Sequence, residues 1–226
     1  MTAGRREGRV DPGELAARLA VYLVADPDAT RRNLVEDVVA AVEGGATAVQ
    51  LRAKRLSDRE AWGLAIQLRQ ECRARGALFL VNDRVDLALA AQTDGVHLGM
   101  TDLPLAMARW LGGPGFVLGY SPETVDDAAD AARQSADYVG LGPVFATWSK
   151  NDAGTPIGLG GLAERVEAAG MPAVGIGGIT VGNAGEVIRA GAVGVSVISA
   201  ILGAADPRKA AAELTQAAAA ARGAGA

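Results

Sequence analysis

The sequence predicts an α/β protein, a TIM (β/α)8 barrel folded as a single domain, and three observations carry that expectation. Strand-like apolar runs alternate with helix-period segments from about residue 20 onward, making eight βα units. A weak internal repeat runs through them two units at a time. Residues capable of chemistry sit just after the strands, the end of a parallel barrel at which active sites are built.

Taken in order, Val21–Val24 is the first apolar run, closed by Asp26-Pro27. A helical segment then extends from Thr30 to Glu43, with Leu34, Val35, Val38, Val39 and Val42 on one face and Gly44-Gly45 as its stop. Ala48–Leu51 is the second strand. Ser57 followed by Glu60 is a capping-box signature for a helix that reaches about Arg75, where Gly76 ends it. Leu78–Val81 is the third strand, and Val85 to Ala91 a short helix. Gly95–Leu98, Val117–Gly119, Tyr138–Leu141, Ala173–Ile176 and Gly194–Ile198 complete the strands, with helices near 103–111, 124–134, 160–169, 183–190 and 207–221. Residues 1–18 read as an N-terminal arm or leading helix, loose over 1–12; 19–221 form the barrel and 222–226 a flexible tail. Ten of the last 17 residues are alanine, which suits a helix running into such a tail.

The repeat aligns Ala46–Leu51 with Thr93–Leu98, Ala136–Leu141 and Ala192–Val197. Its equivalent valines, Val49, Val96, Val139 and Val195, are 47, 43 and 56 residues apart, two βα units each time. In an eight-stranded barrel alternate strands supply alternate core layers, so even-numbered strands are expected to share a pattern. A doubly wound open sheet normally uses fewer strands and leaves no such alternation.

Composition narrows the function. Half of the 226 residues are hydrophobic, ample for a core, which excludes global disorder. With 22 basic against 26 acidic residues and 4% aromatics, the chain lacks both the basic footprint and the stacking platforms of a nucleic-acid binder. The single cysteine, Cys72, excludes a disulfide framework or zinc ribbon, fits a reducing compartment, and reads as a packing thiol. The single histidine, His97, argues against His-based metal sites and Ser-His catalysis; its neighbours suggest an oriented structural imidazole. Arg5-Arg6 is followed by Glu7, Gly8, Arg9, Asp11 and Pro12 instead of an apolar leader. No stretch approaches the roughly 18 apolar residues of a membrane span. A cytoplasmic protein with no membrane partner is expected; whether it is a homo-oligomer stays open.

The strand ends carry Gln50, Arg52 and Lys54; Asn82, Asp83 and Arg84; His97 to Asp102; Ser121; Thr147, Ser149 and Lys150; Gly177 and Gly178; and Ser199. Any one could be a turn former or cap, but seven consecutive strand ends so furnished suggest a site. Arg52, Lys54 and Lys150 would place up to three cations over one mouth. Asp83 and Asp102, from adjacent strand ends, would repel each other unless a divalent cation lay between them, and magnesium commonly takes one or two carboxylates plus substrate phosphates. The competing reading makes both N-caps of the helices that follow. A second anion site is suggested by Gly175-Ile176-Gly177-Gly178-Ile179 and Ile198-Ser199, after strands seven and eight, where this fold usually cradles phosphate. Together these imply two phosphorylated small-molecule substrates, or one phosphorylated at both ends.

From about residue 19 to 203 the chain resembles the thiamine-phosphate synthase family. The motifs are Gln50-Leu51-Arg52-Ala53-Lys54, Val81-Asn82-Asp83-Arg84, Gly95-Val96-His97-Leu98-Gly99-Met100-Thr101-Asp102, the stretch from Gly142 to Lys150, and Ile176-Gly177-Gly178-Ile179. The resemblance implies a transferase that joins hydroxymethylpyrimidine diphosphate to a thiazole phosphate. Magnesium-bound pyrophosphate leaves dissociatively and the thiazole nitrogen attacks the carbon it leaves. It also implies roles: Gln50, Arg52, Lys54, Asn82, Ser121 and Lys150 for the pyrimidine diphosphate, with Lys150, Arg52 and Ser121 catalytic. Asp83 and Asp102 would take Mg2+, and Thr147, Ser149, Gly177, Gly178, Ile198 and Ser199 the thiazole phosphate. The chain departs from the family pattern at Ala146-Thr147-Trp148-Ser149-Lys150, where Pro-Thr-x-Thr-Lys is usual, at Met100 in place of Gln, and at Pro122 after Ser121.

Two other functions share the barrel. A thiazole tautomerase-type isomerase needs no diphosphate and would lose the Gln-x-Arg-x-Lys motif and the Asp pair, and such relatives tend to carry His where Pro143 stands. A non-catalytic phosphate-binding barrel would keep the cradle without reason to retain both Asp83 and Asp102.

Overall fold

The computed structural model describes residues 8–147 and 154–223. Eight parallel strands close a barrel in sequence order: β1 (Val21–Ala25), β2 (Ala48–Leu51), β3 (Leu78–Asn82), β4 (Gly95–Gly99), β5 (Val117–Ser121), β6 (Tyr138–Leu141), β7 (Ala173–Ile176) and β8 (Gly194–Val197). Closure pairs Leu23 with Val197, and β1 meets β2 with Ala25 opposite Leu51. The strands read as near-continuous apolar runs because helices cover their outer faces and side chains fill the inside; β1, β2, β6 and β8 are buried at every residue.

Helix α1 (Pro12–Arg18) precedes the barrel, started by Asp11, whose side chain accepts from the Gly13 and Glu14 N–H groups at 2.9 Å. Before it, Arg9 donates to the Ser135 carbonyl at 3.0 Å. The outer layer is α2 (Leu34–Glu43), α3 (Asp58–Ala74), α4 (Val85–Ala90), α5 (Leu105–Gly112), α6 (Val125–Asp130), α7 (Gly158–Ala169), α8 (Ala184–Arg189), α9 (Ser199–Leu202) and α10 (Pro207–Gly223). The capping box expected at Ser57 and Glu60 is present: Ser57 N donates to Glu60 Oε2 at 3.0 Å, and Glu60 N to Ser57 Oγ at 3.4 Å. Cys72 is buried in α3, and burial pushes its thiol up to about 12.

Several boundaries differ from the sequence expectation for local reasons. The helix expected from Thr30 starts at Leu34, because Asn33 caps it. Thr30 and Arg32 instead turn back to grip the buried Asp37, at 2.6 and 2.7 Å. The helix expected over 124–134 is helical only to Asp130. Strands three, four and five run on to Asn82, Gly99 and Ser121, which puts Asn82 and Ser121 on strands and not in loops.

The two-unit repeat has a physical basis at both ends of the barrel. At the strand starts, Thr47 Oγ1 accepts from Val21 N, Asp94 Oδ2 from Phe79 N and Asp137 Oδ2 from Leu118 N, at 2.8–3.1 Å. Each thus stitches an even-numbered strand to the odd one before it. Three positions further on, Gln50, His97, Gly140 and Ser196 all line the cavity at the upper end. Val24, Asn82, Ser121 and Ile176, from the odd strands, line it as well. The even-numbered strands thus place equivalent repeat positions at the same cavity, which is the pattern the sequence carries.

Candidate active site

A cavity of about 220 Å³ opens at the carboxyl end of the barrel. Its wall gathers Gln50, Arg52, Lys54, Asn82, Asp83, Asp102 and Ser121, contributed by four successive strands or the turns after them. Thr147, Gly177, Gly178, Ile198 and Ser199 do not line it. Ser149, Lys150 and Trp148 lie outside the described residues. Met100 is half exposed and is not part of the wall, whereas Pro122 is buried.

Arg52 leaves the end of β2 and meets Asp26, at the end of β1, with Nη1 2.5 Å from Oδ2. Both side chains are largely buried, so the guanidinium is held in one pose with further N–H groups to offer. Asp26 does not line the cavity itself but holds a residue that does, a role the sequence gives no sign of. It sat beside Pro27 and looked like a turn former, which it also is, since Oδ1 accepts from Asp28 N at 3.0 Å. Nothing in its spacing pointed across to Arg52.

Lys54 Nζ lies 2.5 Å from Asp83 Oδ2. The acids are therefore not both unpartnered, as the spacing had suggested; one already faces a cation. Asp83 sits at the centre of a tight turn with φ 63°, its own N–H bonded to the His97 carbonyl and Arg84 N to the Asn82 carbonyl at 2.7 Å. A left-handed backbone is tolerable for Asp but uncommon, and such strain concentrates at functional sites. Asp102 Oδ2 accepts from Gly99 N at 2.7 Å. Burial first, and then the charge of and hydrogen bond with Asp83, hold the Asp102 carboxyl above the usual range, against the Gly99 bond that lowers it. Neither acid caps a helix. The residues before α4 and α5 are Arg84 and Pro104, and neither end has a side-chain cap.

Below the acids runs a line of buried polar groups. Gln50 Nε2 donates to the Tyr22 hydroxyl at 2.6 Å, and that hydroxyl lies 2.9 Å from the Tyr138 hydroxyl. Tyr138 contacts His97 Nδ1 at 2.9 Å, and His97 Nε2 meets Ser121 Oγ at 2.8 Å. His97 is thus an oriented imidazole, as the sequence suggested, but its partners come from strands that sequence spacing does not join.

The second candidate anion site differs in character. Gly177 and Gly178 both adopt positive φ, 98° and 64°. A Cβ on Gly178 would lie 2.5 Å from the Ala146 carbonyl oxygen and one on Gly177 2.6 Å from Pro143 Cβ, so the turn after β7 packs closely on the segment after β6. Val144 N and Phe145 N continue that contact by donating to the Ile176 and Gly177 carbonyls. Ile198 immediately precedes α9, which Ser199 opens.

Comparison with known proteins agrees along the chain. Residues 21–201 match the family model described as thiamine monophosphate synthase. A thiamine-phosphate synthase of Roseiflexus castenholzii is 50% identical over 196 residues, 86% of each chain. One from Moorella thermoacetica is 52% identical over 192 residues, 85% of this chain and 91% of its own. The solved structure of a thiamine phosphate pyrophosphorylase from Pyrococcus furiosus superposes with a TM-score of 0.84 at 42% identity, covering 92% of this chain and 98% of its own.

Proposed function

The chain belongs to the thiamine-phosphate synthase family, and from that premise we propose how its own residues carry out the reaction. The protein is a transferase that couples hydroxymethylpyrimidine diphosphate to a thiazole phosphate, giving thiamine phosphate and pyrophosphate. The pyrimidine diphosphate occupies the 220 Å³ cavity. Gln50 binds the ring, while Arg52, Lys54, Asn82 and Ser121 bind the diphosphate. Asp26 fixes the Arg52 fork, so that a donor already points at the oxygen on which charge develops as the carbon–oxygen bond breaks.

Asp83 and Asp102 hold magnesium. Their fit to a divalent cation rests on position: both carboxylates line the one cavity, Asp83 from the turn after β3 and Asp102 from the turn after β4, and of the two Asp102 oxygens only Oδ2 is taken up by the Gly99 N–H. Among the described residues no larger cluster of metal-ligating side chains gathers, and two carboxylates are a usual complement for magnesium. Magnesium, when bound there, supplies Lewis-acid stabilisation of the departing diphosphate.

The pair of the carbon–oxygen bond leaves with the diphosphate first, and the thiazole nitrogen then gives its electron pair to the exocyclic carbon, so no proton need be moved. That balance suits a site whose one histidine is engaged at both ring nitrogens. Thr147, Ser149, Gly177, Gly178, Ile198 and Ser199 hold the thiazole phosphate, and Lys150 adds a cation on the leaving group. Among the described residues no helix is long and apolar enough to cross a membrane. A cytoplasmic location is proposed with the rest.

The observation that carries this account is the convergence of Arg52, Lys54, Asn82, Asp83, Asp102 and Ser121 on one cavity. The test is pyrophosphate release by the purified protein with both substrates and magnesium. Release that requires both substrates supports it; none would favour an isomerase or a phosphate-binding barrel.

A further inference from the structure

We propose that Gln50, Tyr22, Tyr138, His97 and Ser121 form a hydrogen-bond relay with one direction. In it Tyr138 and His97 are positioning residues that fix Ser121 as a hydrogen-bond donor to the diphosphate. The inference rests on the reading above that Gln50 and Ser121 both hold the pyrimidine diphosphate.

The five side chains come from β2, β1, β6, β4 and β5, and four contacts of 2.6–2.9 Å join them end to end. Each hydroxyl has one proton, and so has a neutral imidazole; when every buried proton lies between two members of the line, each contact takes one proton and all of them point the same way. The line therefore has only two self-consistent states, and its ends choose between them. A diphosphate oxygen can only accept. For Ser121 to donate to it, Ser121 must accept from His97, which places the ring proton on Nε2. His97 Nδ1 then accepts from Tyr138, Tyr138 from Tyr22, and Tyr22 from the Gln50 amide N–H. That last bond leaves the Gln50 carbonyl oxygen as the acceptor facing the amine of an aminopyrimidine. Run backwards, the line would set the Gln50 NH2 against that amine, donor to donor, and a Ser121 lone pair against an anion.

The surroundings are built for this line. Tyr22, Tyr138, Gln50 and His97 are all buried, and burial raises both phenols, so each keeps its proton. Glycines make the room: a Cβ on Gly119 would lie 2.3 Å from both His97 Nδ1 and the Tyr138 hydroxyl, and one on Gly140 would lie 3.0 Å from His97 Cε1. The two halves of the substrate are thereby coupled through the protein, since the proton direction that suits the ring at Gln50 also suits the diphosphate at Ser121.

His97 is the single histidine of the chain, so 15N-histidine labelling gives the spectrum of one imidazole. In the wild-type protein with the pyrimidine diphosphate bound, the expected spectrum is a pyrrole-type Nε2 bearing hydrogen and a pyridine-type Nδ1. A proton on Nδ1, on both nitrogens, or averaged between them would overturn the relay. Tyr138→Phe removes the donor to Nδ1; the single tautomer should be lost. KM for the pyrimidine diphosphate should rise about tenfold, the size of one hydrogen bond to a charged group, with the thiazole phosphate KM unchanged. Should that variant not fold, Tyr22→Phe cuts the line one step earlier with the same kinetic expectation. An unchanged pyrimidine KM beside the expected tautomer would reduce the line to a structural network and overturn the positioning role. If Arg52→Ala and Lys54→Ala also left that KM unchanged, the failure would lie in the site assignment itself.

Discussion

Lys54 Nζ sits 2.5 Å from Asp83 Oδ2, so a cation suited to the diphosphate also neutralises one of the two carboxylates suited to the metal. With magnesium at the proposed site, Lys54 and the ion would compete for Asp83 before substrate arrives. Lys54→Ala should therefore move two quantities in opposite directions. Magnesium affinity without substrate should tighten by up to about fivefold, the scale of a partly exposed ion pair. At the same time kcat/KM should fall about 10²–10³-fold as a donor to developing charge is lost. Calorimetric titration with magnesium alone, alongside kinetics, checks both; weaker magnesium binding in the variant would contradict the competition.

Asp102 gives a stability prediction with a definite sign. Its carboxyl is raised in the fold, chiefly by burial and then by Asp83, so ionisation there costs stability at neutral pH. Asp102→Asn keeps an oxygen for the Gly99 N–H and removes that cost. The variant should melt higher than wild type at neutral pH without magnesium. The gap should shrink as pH falls through the raised native value and vanish below the ordinary carboxylate value, where both states are protonated. Melting curves at neutral and acid pH decide it; a variant less stable at neutral pH would show that the Gly99 bond outweighs burial.

Asp26→Asn retains Oδ1 for the Asp28 N–H but can set an amide N–H against the Arg52 guanidinium. With the fork no longer held, KM for the pyrimidine diphosphate should rise about tenfold, the worth of a charged hydrogen bond. The thiazole phosphate KM should stay unchanged. Equal rises in both would mean that Asp26 supports the barrel mouth as a whole.

The cradle prediction is altered by the packing. On sequence grounds Gly178→Ala raises the thiazole phosphate KM and leaves the pyrimidine site intact. The positive φ and the 2.5 Å approach to the Ala146 carbonyl add a loss of stability, on the order of 1–3 kcal/mol. A melting temperature lowered together with the thiazole KM raised is expected. A destabilised variant with a normal thiazole KM would assign Gly178 to packing alone.

The strands and the clustering at their ends were legible because a parallel barrel imposes a period that sequence carries directly. Two units separate Val49 from Val96, and the side chains one position beyond them, Gln50 and His97, do line one cavity. Helix starts were less legible: Thr30 looks like a start until Asp37 draws it into a turn. The Asp26–Arg52 pair and the line from Tyr22 to Ser121 were illegible for a different reason. Each joins residues on, or just after, separate strands, and the contact exists only once the barrel closes and register brings the groups within reach. Tyr22 and Tyr138 lie inside apolar strand runs and are buried in the core, with hydroxyls whose partners no spacing reveals.

Asp83 and Asp102 acting on one ion is the claim on which the account most depends. Groups that act as a unit are strongly non-additive when removed. The measurement is kcat/KM for Asp83→Asn, Asp102→Asn and the double variant across a magnesium titration, with the melting temperature of each. Either single variant should forfeit most of the magnesium-dependent rate, and the second substitution should add little. Losses that add in log(kcat/KM), or a single variant with the wild-type magnesium response, would contradict a shared ion.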